Sequence, residues 1–475
     1  MDDKKIYVGI DIGTTATKAV CFNRSGKVIY EYSKEYPLYH PEFDQSIQKP
    51  NEVLLAVLAC INQITKEYQP EFISFSSAMQ SILVIDELGN PLTDAIIWAD
   101  NRAHELAESL KITELGKKFY QKTGIPTHTF SPMTKIAWLK VHEIEVFSKA
   151  FKYISLKEYV WHQLTGEYAI DSSMASGTGI MNIHNLEWDT EILKFLDIHS
   201  NQLSKIVKPT HFCKGLNDNL LYIIGGGDGA LANLGTGAME PGKVALTIGT
   251  SGAVRLPISK PFIDSQMRTQ CYHLIDNQYL TLGAVSNGAI VLQWLKESIL
   301  KTEDSFETLF KQAATVSSGS DGLLFVPYLL GERAPIWDAS ANGTLLGIKI
   351  IHTQAHFIRA TMEGILLGLL NVLEILLPDE ETREQHTIMA SGGFAKSEFW
   401  LQMTADIFQM KVIIAQTVEA SAWGAVLIGF KSKEIEVLPE TLDGNVFVPN
   451  KKHKTIYEQS FTKFKRVYTL LKELE

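Results

Sequence analysis

The chain has 475 residues, more than one hydrophobic core usually serves, so two domains are expected. Its 45% hydrophobic and 21% charged content is that of a soluble globular protein. A formal net charge of −10 argues against a general nucleic-acid binder, while leaving room for a locally basic pocket that takes an anionic small molecule.

The start, MDDKKIYVGI, lacks a long apolar signal region and runs straight into a strand, Ile6–Asp11. A second strand is expected at Ala16–Phe22. Gly13-Thr14-Thr15 between them fits a tight hairpin turn, with Gly13 able to take positive φ. Asn51 is placed to cap a helix reaching Tyr68, with Val53, Leu54, Val57, Leu58, Ile61 and Ile64 on its apolar face. Strands Phe72–Ser76 and Ile82–Ile85 flank Ser77–Ser81, and a strand Leu220–Ile224 runs into Gly225-Gly226-Gly227. A domain boundary is expected near Gly242, separating 1–242 from 243–475. Beyond it the first unit is written again: Val244–Ile248, then Gly249-Thr250-Ser251-Gly252, then Ala253–Leu256. His356–Leu377 reads as a long helix. Its greasiest part, Gly364–Pro378, is broken by Asn371 and Glu374 and fits a buried helix better than a membrane span. A strand Thr387–Ala390 ends in Gly392-Gly393. A supersecondary unit repeated half a chain apart suggests two related α/β domains that face each other. The four cysteines, Cys21, Cys60, Cys213 and Cys271, form no CxxC pair and no zinc spacing, which suits reduced thiols in the cytoplasm.

A turn of Gly, Thr and Ser presents backbone N–H groups and hydroxyls in a small concavity suited to phosphate. Two such hairpins from facing domains could hold one polyphosphate. Asp11 would aim a carboxylate at the same place, which implies an intervening Mg²⁺; the bland alternative is a hairpin-edge carboxylate in water. Lys18 is placed to neutralise a phosphate oxygen. Gly237–Val244 resembles GxxxxGK[ST] but ends in Val244, which has no hydroxyl, and leads into a strand instead of a helix. Asp228, at a strand end after three glycines, is either a proton acceptor for an attacking hydroxyl or a plain helix N-cap.

GIDIGTT (Gly9–Thr15), IGTSG (Ile248–Gly252), GGGDGA (Gly225–Ala230), YLLGERAPIWD (Tyr328–Asp338), GTLLGIKIIHTQAHFIRATMEG (Gly343–Gly364) and SGGFAKSEFWLQMTADIF (Ser391–Phe408) together resemble the FGGY carbohydrate kinases. FSPMTKIAWLKVHE (Phe130–Glu143) fits that family's first signature approximately, with Val141 where a polar residue is usual. The resemblance implies two ribonuclease H-like domains of the actin/hexokinase/Hsp70 ATPase type around a cleft that takes ATP and a sugar. By the same resemblance Asp228 is the catalytic base and Asp11 the Mg²⁺ residue. Gly13, Thr14, Thr15, Lys18, Gly249 and Thr250 attend the phosphates, and Gly392, Gly393 and Ser397 border the adenosine. Phe72–Arg102 looks most like gluconate kinases, with xylulose kinases close behind, although Gln80 stands where both commonly have His.

The sugar is expected at Met79, Gln80, Trp98, Asp100 and Arg102. Asp and Gln suit hydroxyls, Trp covers the C–H face of a polyol, and Arg102 can hold a carboxylate in two parallel hydrogen bonds. Against this, Trp98 also reads as a core aromatic and Arg102 as a surface ion pair with Asp100. His128, Lys135 and Lys157 are further cationic candidates that also read as structural. The expected partner is a small sugar or sugar acid, without nucleic acid or membrane, and with a homodimer open as its assembly. A non-catalytic ATP switch would share both hairpins but has no use for WADNR (Trp98–Arg102). A dinucleotide oxidoreductase fails because no GxGxxG follows the first strand.

Overall fold

The computed structural model describes residues 5–415, 419–437 and 445–473, so the first four residues of the N-terminal reading lie outside it. The chain divides into two compact units. One comprises Met1–Gly237, Ile258–Leu280 and Thr417–Leu442; the other comprises Ala238–Pro257, Thr281–Gln416 and Asp443–Glu475. The chain passes into the second unit after Gly237 and returns twice, so neither unit is one continuous segment.

The first unit is built on strands β1 (Ile6–Ile12), β2 (Ala16–Phe22), β3 (Val28–Glu35), β4 (Pro70–Ser77), β5 (Phe212–Lys214) and β6 (Leu221–Gly227), in the sheet order β5-β6-β4-β1-β2-β3. β1 and β2 form the expected antiparallel hairpin, while β1, β4 and β6 run parallel. Parallel strands need a crossover, and the helix Pro50–Glu67 supplies it between β3 and β4, burying Val53, Val57, Cys60, Ile61 and Ile64. This helix starts earlier than Asn51. Pro50 opens it after Lys49, because proline's preset φ and missing N–H suit a first helical turn. Asn51 instead accepts a hydrogen bond from the Tyr159 hydroxyl at 2.6 Å.

In the second unit six strands lie in one sheet: β7 (Lys243–Ile248), β8 (Gly252–Ile258), β9 (Gln278–Val285), β10 (Thr387–Ser391), β11 (Lys411–Ile414) and β12 (Val446–Phe447). Their order, β12-β11-β10-β7-β8-β9, matches the first sheet strand for strand, with the same antiparallel β7–β8 hairpin and parallel β7, β10 and β11. The duplication read from two Ile-Gly-Thr stretches is thus a duplication of six strands in one order, the second sheet having a seventh, and each unit has the expected ribonuclease H-like α/β arrangement. The register repeats too. Asp11 faces Ser76 across β1 and β4, and Thr247 faces Ser391 across β7 and β10.

The long helix runs from Gln354 to Leu376 and is buried along nearly all its length; Arg359 pairs with Glu363 one turn on at 2.8 Å and donates to the Val316 carbonyl at 2.7 Å. Among the described residues no helix is long and apolar enough to cross a membrane. Late in the chain, the helix Ala420–Ser432 belongs to the first unit and lies backbone-close to β1 and to the helix Asp228–Gly235. A Cβ on Gly9 would collide with the Ala422 carbonyl, and one on Gly424 with that of Leu231. Cys21, Cys60 and Cys271 are buried free thiols and Cys213 is half-buried.

Candidate active site

The parallel strands set one row across the first sheet. Asp11, Ser76 and Gly226 are cross-strand neighbours on β1, β4 and β6, and Asp228 follows two residues later. The Ser76 hydroxyl donates to Asp11 Oδ1 at 2.7 Å. Burial holds the Asp11 carboxyl above its usual value; the Ser76 bond and Lys18 work against that rise, while nearby Glu419 adds to it. Lys18 is less available than its sequence position suggests. Its ammonium lies 2.6 Å from Glu419 and 3.0 Å from Glu31, so its charge is already balanced by two carboxylates.

The hairpin turn closes through a bond from the Gly13 N–H to the Ala16 carbonyl at 2.9 Å. Gly13 does not use the positive φ open to it, and Gly249 has none either. At Gly13 the constraint is space, since a Cβ would sit 3.0 Å from the Ala16 oxygen. Two residues that the sequence did not single out brace the turn from below. Gln48 donates to the Thr14 carbonyl at 2.8 Å, and Tyr36 donates to that of Gly13 at 2.7 Å. Both are long-range contacts to backbone and leave no local pattern.

Beside this turn is a small open depression lined by Gly13, Thr14, Gln48, Ser77, Met79 and Trp98 among others. Two of the expected sugar residues, Met79 and Trp98, are therefore brought to the first hairpin. Trp98 is 42% exposed, not a core aromatic, and its indole N–H donates to the Thr14 hydroxyl at 3.3 Å. Met79 packs against the backbone before Asp228, where a Cβ on Gly227 would come within 2.6 Å of its sulfur. Gln80 adopts φ +70°, uncommon for a residue with a side chain, and donates its amide to the Tyr272 hydroxyl at 3.0 Å.

Asp100 and Arg102 do pair, but in the interior instead of at the surface. Asp100 is fully buried. It receives Arg102 Nε and Nη2 at 2.9 Å each and the Ser46 N–H at 2.7 Å. One fork of the guanidinium is thereby occupied, leaving only its other edge for a substrate carboxylate.

Asp228 is the first residue of its helix, and Gly227 holds the N-cap position, so the N-cap reading of Asp228 does not apply. Gly225 is required twice over: it has φ +66°, and a Cβ there would strike the Phe75 carbonyl. Of the other cations, Lys157 is buried against Asp171 at 2.7 Å, and Lys135 is tied to backbone carbonyls. The His128 Nδ1 accepts from the Phe130 N–H at 3.3 Å.

In the second unit Thr250 and Ser251 are exposed at the hairpin tip. The turn is held by Gly249 N–H to the Ser251 carbonyl at 2.9 Å and by Ala289 N–H to the Gly249 carbonyl at 2.7 Å. Behind it the YLLGERAPIWD stretch does unforeseen work. The buried Glu332 accepts from the Asn287 side chain at 3.0 Å and from the Arg333 N–H at 2.8 Å, fixing the segment that leads into Gly288 and Ala289. Gly392 takes φ +95°, and a Cβ there would lie 2.5 Å from the Ile248 carbonyl, so the Gly392-Gly393 turn sits at the end of β7. A Cβ on Gly249 or Gly393 would meet nothing within 4 Å. Neither the fold nor φ demands glycine at these two points, which is what close approach of a ligand to backbone would require. The Ser397 hydroxyl caps the helix Glu398–Phe408, accepting from the Trp400 N–H at 3.3 Å.

Residues 6–235 match the FGGY family of carbohydrate kinases, N-terminal domain, and residues 244–432 match that family's C-terminal domain. A gluconokinase of Bacillus subtilis (strain 168) is 42% identical over 444 residues, covering 89% of this chain and 86% of the relative. Two solved structures from Lactobacillus acidophilus, a gluconate kinase and a ligand-bound xylulose kinase, each align with a TM-score of 0.94 at 34% identity, over 98% of both chains.

Proposed function

Because the chain belongs to the FGGY family of carbohydrate kinases, we propose that it transfers the γ-phosphate of ATP to a hydroxyl of gluconate, giving 6-phosphogluconate. In this reading residues 1–242 carry the acceptor site, the first hairpin and the base, and 243–475 carry the second hairpin and the adenosine site. The observation behind it is the row Asp11–Ser76–Gly226, with Asp228 two residues past Gly226, and the closeness of Gly227 to Met79, which lines the depression with Trp98. Relatives and solved neighbours at substantial identity support the acceptor, a 42% identical gluconokinase foremost.

The acceptor hydroxyl loses its proton to an Asp228 carboxylate oxygen as its own oxygen bonds to the γ-phosphorus. The bond from that phosphorus to the bridging oxygen breaks, and ADP departs. The transition state for such transfers is loose, so the protein mainly positions groups and balances charge. Thr14 and Thr15 in one unit, and Thr250 in the other, offer hydroxyls and N–H groups to phosphate oxygens, while Gly13 and Gly249, whose own N–H groups close the turns, shape the turns that present them. Gly392, Gly393 and Ser397 border the adenosine. Lys18 serves chiefly to balance Glu31 and Glu419.

The residues suit Mg²⁺. Asp11 is a half-buried carboxylate with one close hydroxyl donor and a second carboxylate nearby. Among the described residues no three or more His, Cys, Asp or Glu gather to hold a metal unaided. One carboxylate plus substrate phosphates is the usual way proteins hold Mg²⁺. Asp11 would hold it, and the ion would supply charge neutralisation on the phosphate oxygens.

D-Xylulose is the second reading. It is favoured by the neutral Gln80 and by the engagement of one Arg102 fork with Asp100. A coupled ADP-release assay over gluconate, xylulose, ribulose, fuculose, rhamnulose and glycerol decides. Gluconate is expected to give the highest kcat/KM, and a tenfold advantage for xylulose overturns that assignment.

A further inference from the structure

Lys135 lies on the helix Pro132–His142 and has no solvent exposure. A buried ammonium ordinarily sits against a carboxylate, and among the described residues no ion pair places one on Lys135; the charges acting on it are Asp100 and Arg102, which bond each other. Its three protons go to three peptides instead: the carbonyls of Gln80 at 2.8 Å, Ile97 at 2.7 Å and Phe130 at 3.0 Å. Those peptides belong to three separate loops. The first carries Met79 and Gln80, the second carries Trp98, and the third carries His128. Gln80 is held from its other end as well, by the bond from its amide to the Tyr272 hydroxyl, which in turn donates to Gln270 at 2.9 Å. A residue kept at φ +70° needs such restraint, since the left-handed conformation is disfavoured and persists only where its surroundings impose it.

We propose that Lys135, seconded by Tyr272, is a positioning residue for the acceptor: it sets the loops of Gln80 and Trp98 in the one relative arrangement that binds the sugar. The ammonium touches no substrate and acts through the two loops it joins. An apolar side chain of similar length would fill the same space but remove the bonds to the Gln80 and Phe130 carbonyls, leave the Ile97 carbonyl only its bond from the Asp100 N–H, and free the loops to part. Burial also pushes the Lys135 ammonium down to about 7, with Asp100 opposing and Arg102 adding to that fall. A cost of this kind is retained where the arrangement it secures is used.

The inference rests on the acceptor pocket proposed above, so the test includes a variant of that pocket. Lys135→Met, Tyr272→Phe and Trp98→Ala are assayed for KM of whichever sugar the wild-type enzyme turns over best, for KM of ATP, and for Tm. Lys135→Met is expected to raise the acceptor KM about tenfold or more, and Tyr272→Phe a few-fold, with KM for ATP within about twofold for both. If Lys135→Met does not fold, Tyr272→Phe decides by itself. Trp98→Ala raising the acceptor KM while the other two leave it unchanged overturns the positioning role and spares the pocket. No effect from any of the three overturns the pocket and the positioning role together. A proportionate loss in both KM values from Lys135→Met would mark a general packing role and also overturn the proposal.

Discussion

Asp228 follows the N-cap Gly227, and its Oδ1 accepts from the Gly229 N–H at 2.7 Å in the helix's first turn. Asp228→Asn keeps the size and removes the proton acceptor. It should lower kcat by about a hundred- to ten-thousand-fold while ATP and sugar still bind nearly as before, as measured by calorimetry. A variant retaining more than about a tenth of wild-type kcat would remove Asp228 from the base role. Arg102 is open to both duties that its sequence context offered as alternatives. Arg102→Gln leaves the fully buried Asp100 without its bidentate partner, which should cost about 3–5 kcal/mol in denaturant unfolding. If the other guanidinium edge also holds the gluconate carboxylate, KM for gluconate should rise roughly ten- to a hundred-fold, with much less change for a neutral ketose. A stability loss with equal KM changes for both sugars would leave Arg102 as a support for Asp100 alone.

At the scale of single elements, the helix Leu156–Thr165 opens with a reciprocal cap: Ser155 Oγ accepts from the Glu158 N–H at 3.3 Å, and Glu158 Oε2 accepts from the Ser155 N–H at 2.6 Å. The carboxyl is buried, and that burial pushes it up to about 7. Since the folded value lies above the unfolded one, folding favours the protonated form. Stability from this group is then lost as pH climbs from the ordinary carboxylate range through about 7, and is constant above. Glu158→Gln keeps the cap and cannot titrate. Its Tm relative to wild type should therefore improve between pH 5 and pH 8, by roughly 2–4 °C. A difference that stays flat over this range would show that the buried carboxyl is not perturbed. The hairpins make a related point about glycine. Gly13 is dictated by the nearness of the Ala16 carbonyl, whereas nothing in the fold occupies the space over Gly249.

Over the whole molecule the chain's path matters more than its halves. The first unit needs Ile258–Leu280 and Thr417–Leu442 as well as the N-terminal stretch. The helix Ala420–Ser432 covers β1 at Gly9, and Phe430 packs edge-on against Tyr7 at 4.6 Å between ring centroids. A fragment of residues 1–242 should accordingly lack a cooperative thermal transition by circular dichroism. The same fragment co-expressed with 243–475 should recover one. A fragment 1–242 that melts cooperatively by itself would show that the late helix is dispensable. By itself the sequence determined what is local: both strand–turn–strand units, the glycine turn before Asp228, the buried character of the long helix, and through its motifs the family. These depend on alternation, turn chemistry and spacing within a few residues. Only the tertiary structure decided which charges meet. It gave Lys18 to Glu31 and Glu419, buried the Asp100–Arg102 pair that the sequence had offered at the surface, put Gln48 under the hairpin and set Lys135 on three carbonyls. It also opened the helix Pro50–Glu67 at a proline instead of at Asn51, whose side chain had been taken by Tyr159. The physical reason is the reach of the partners: a carboxylate or carbonyl tens to hundreds of residues away leaves no periodic trace, yet once burial removes water it settles where a long polar side chain must point.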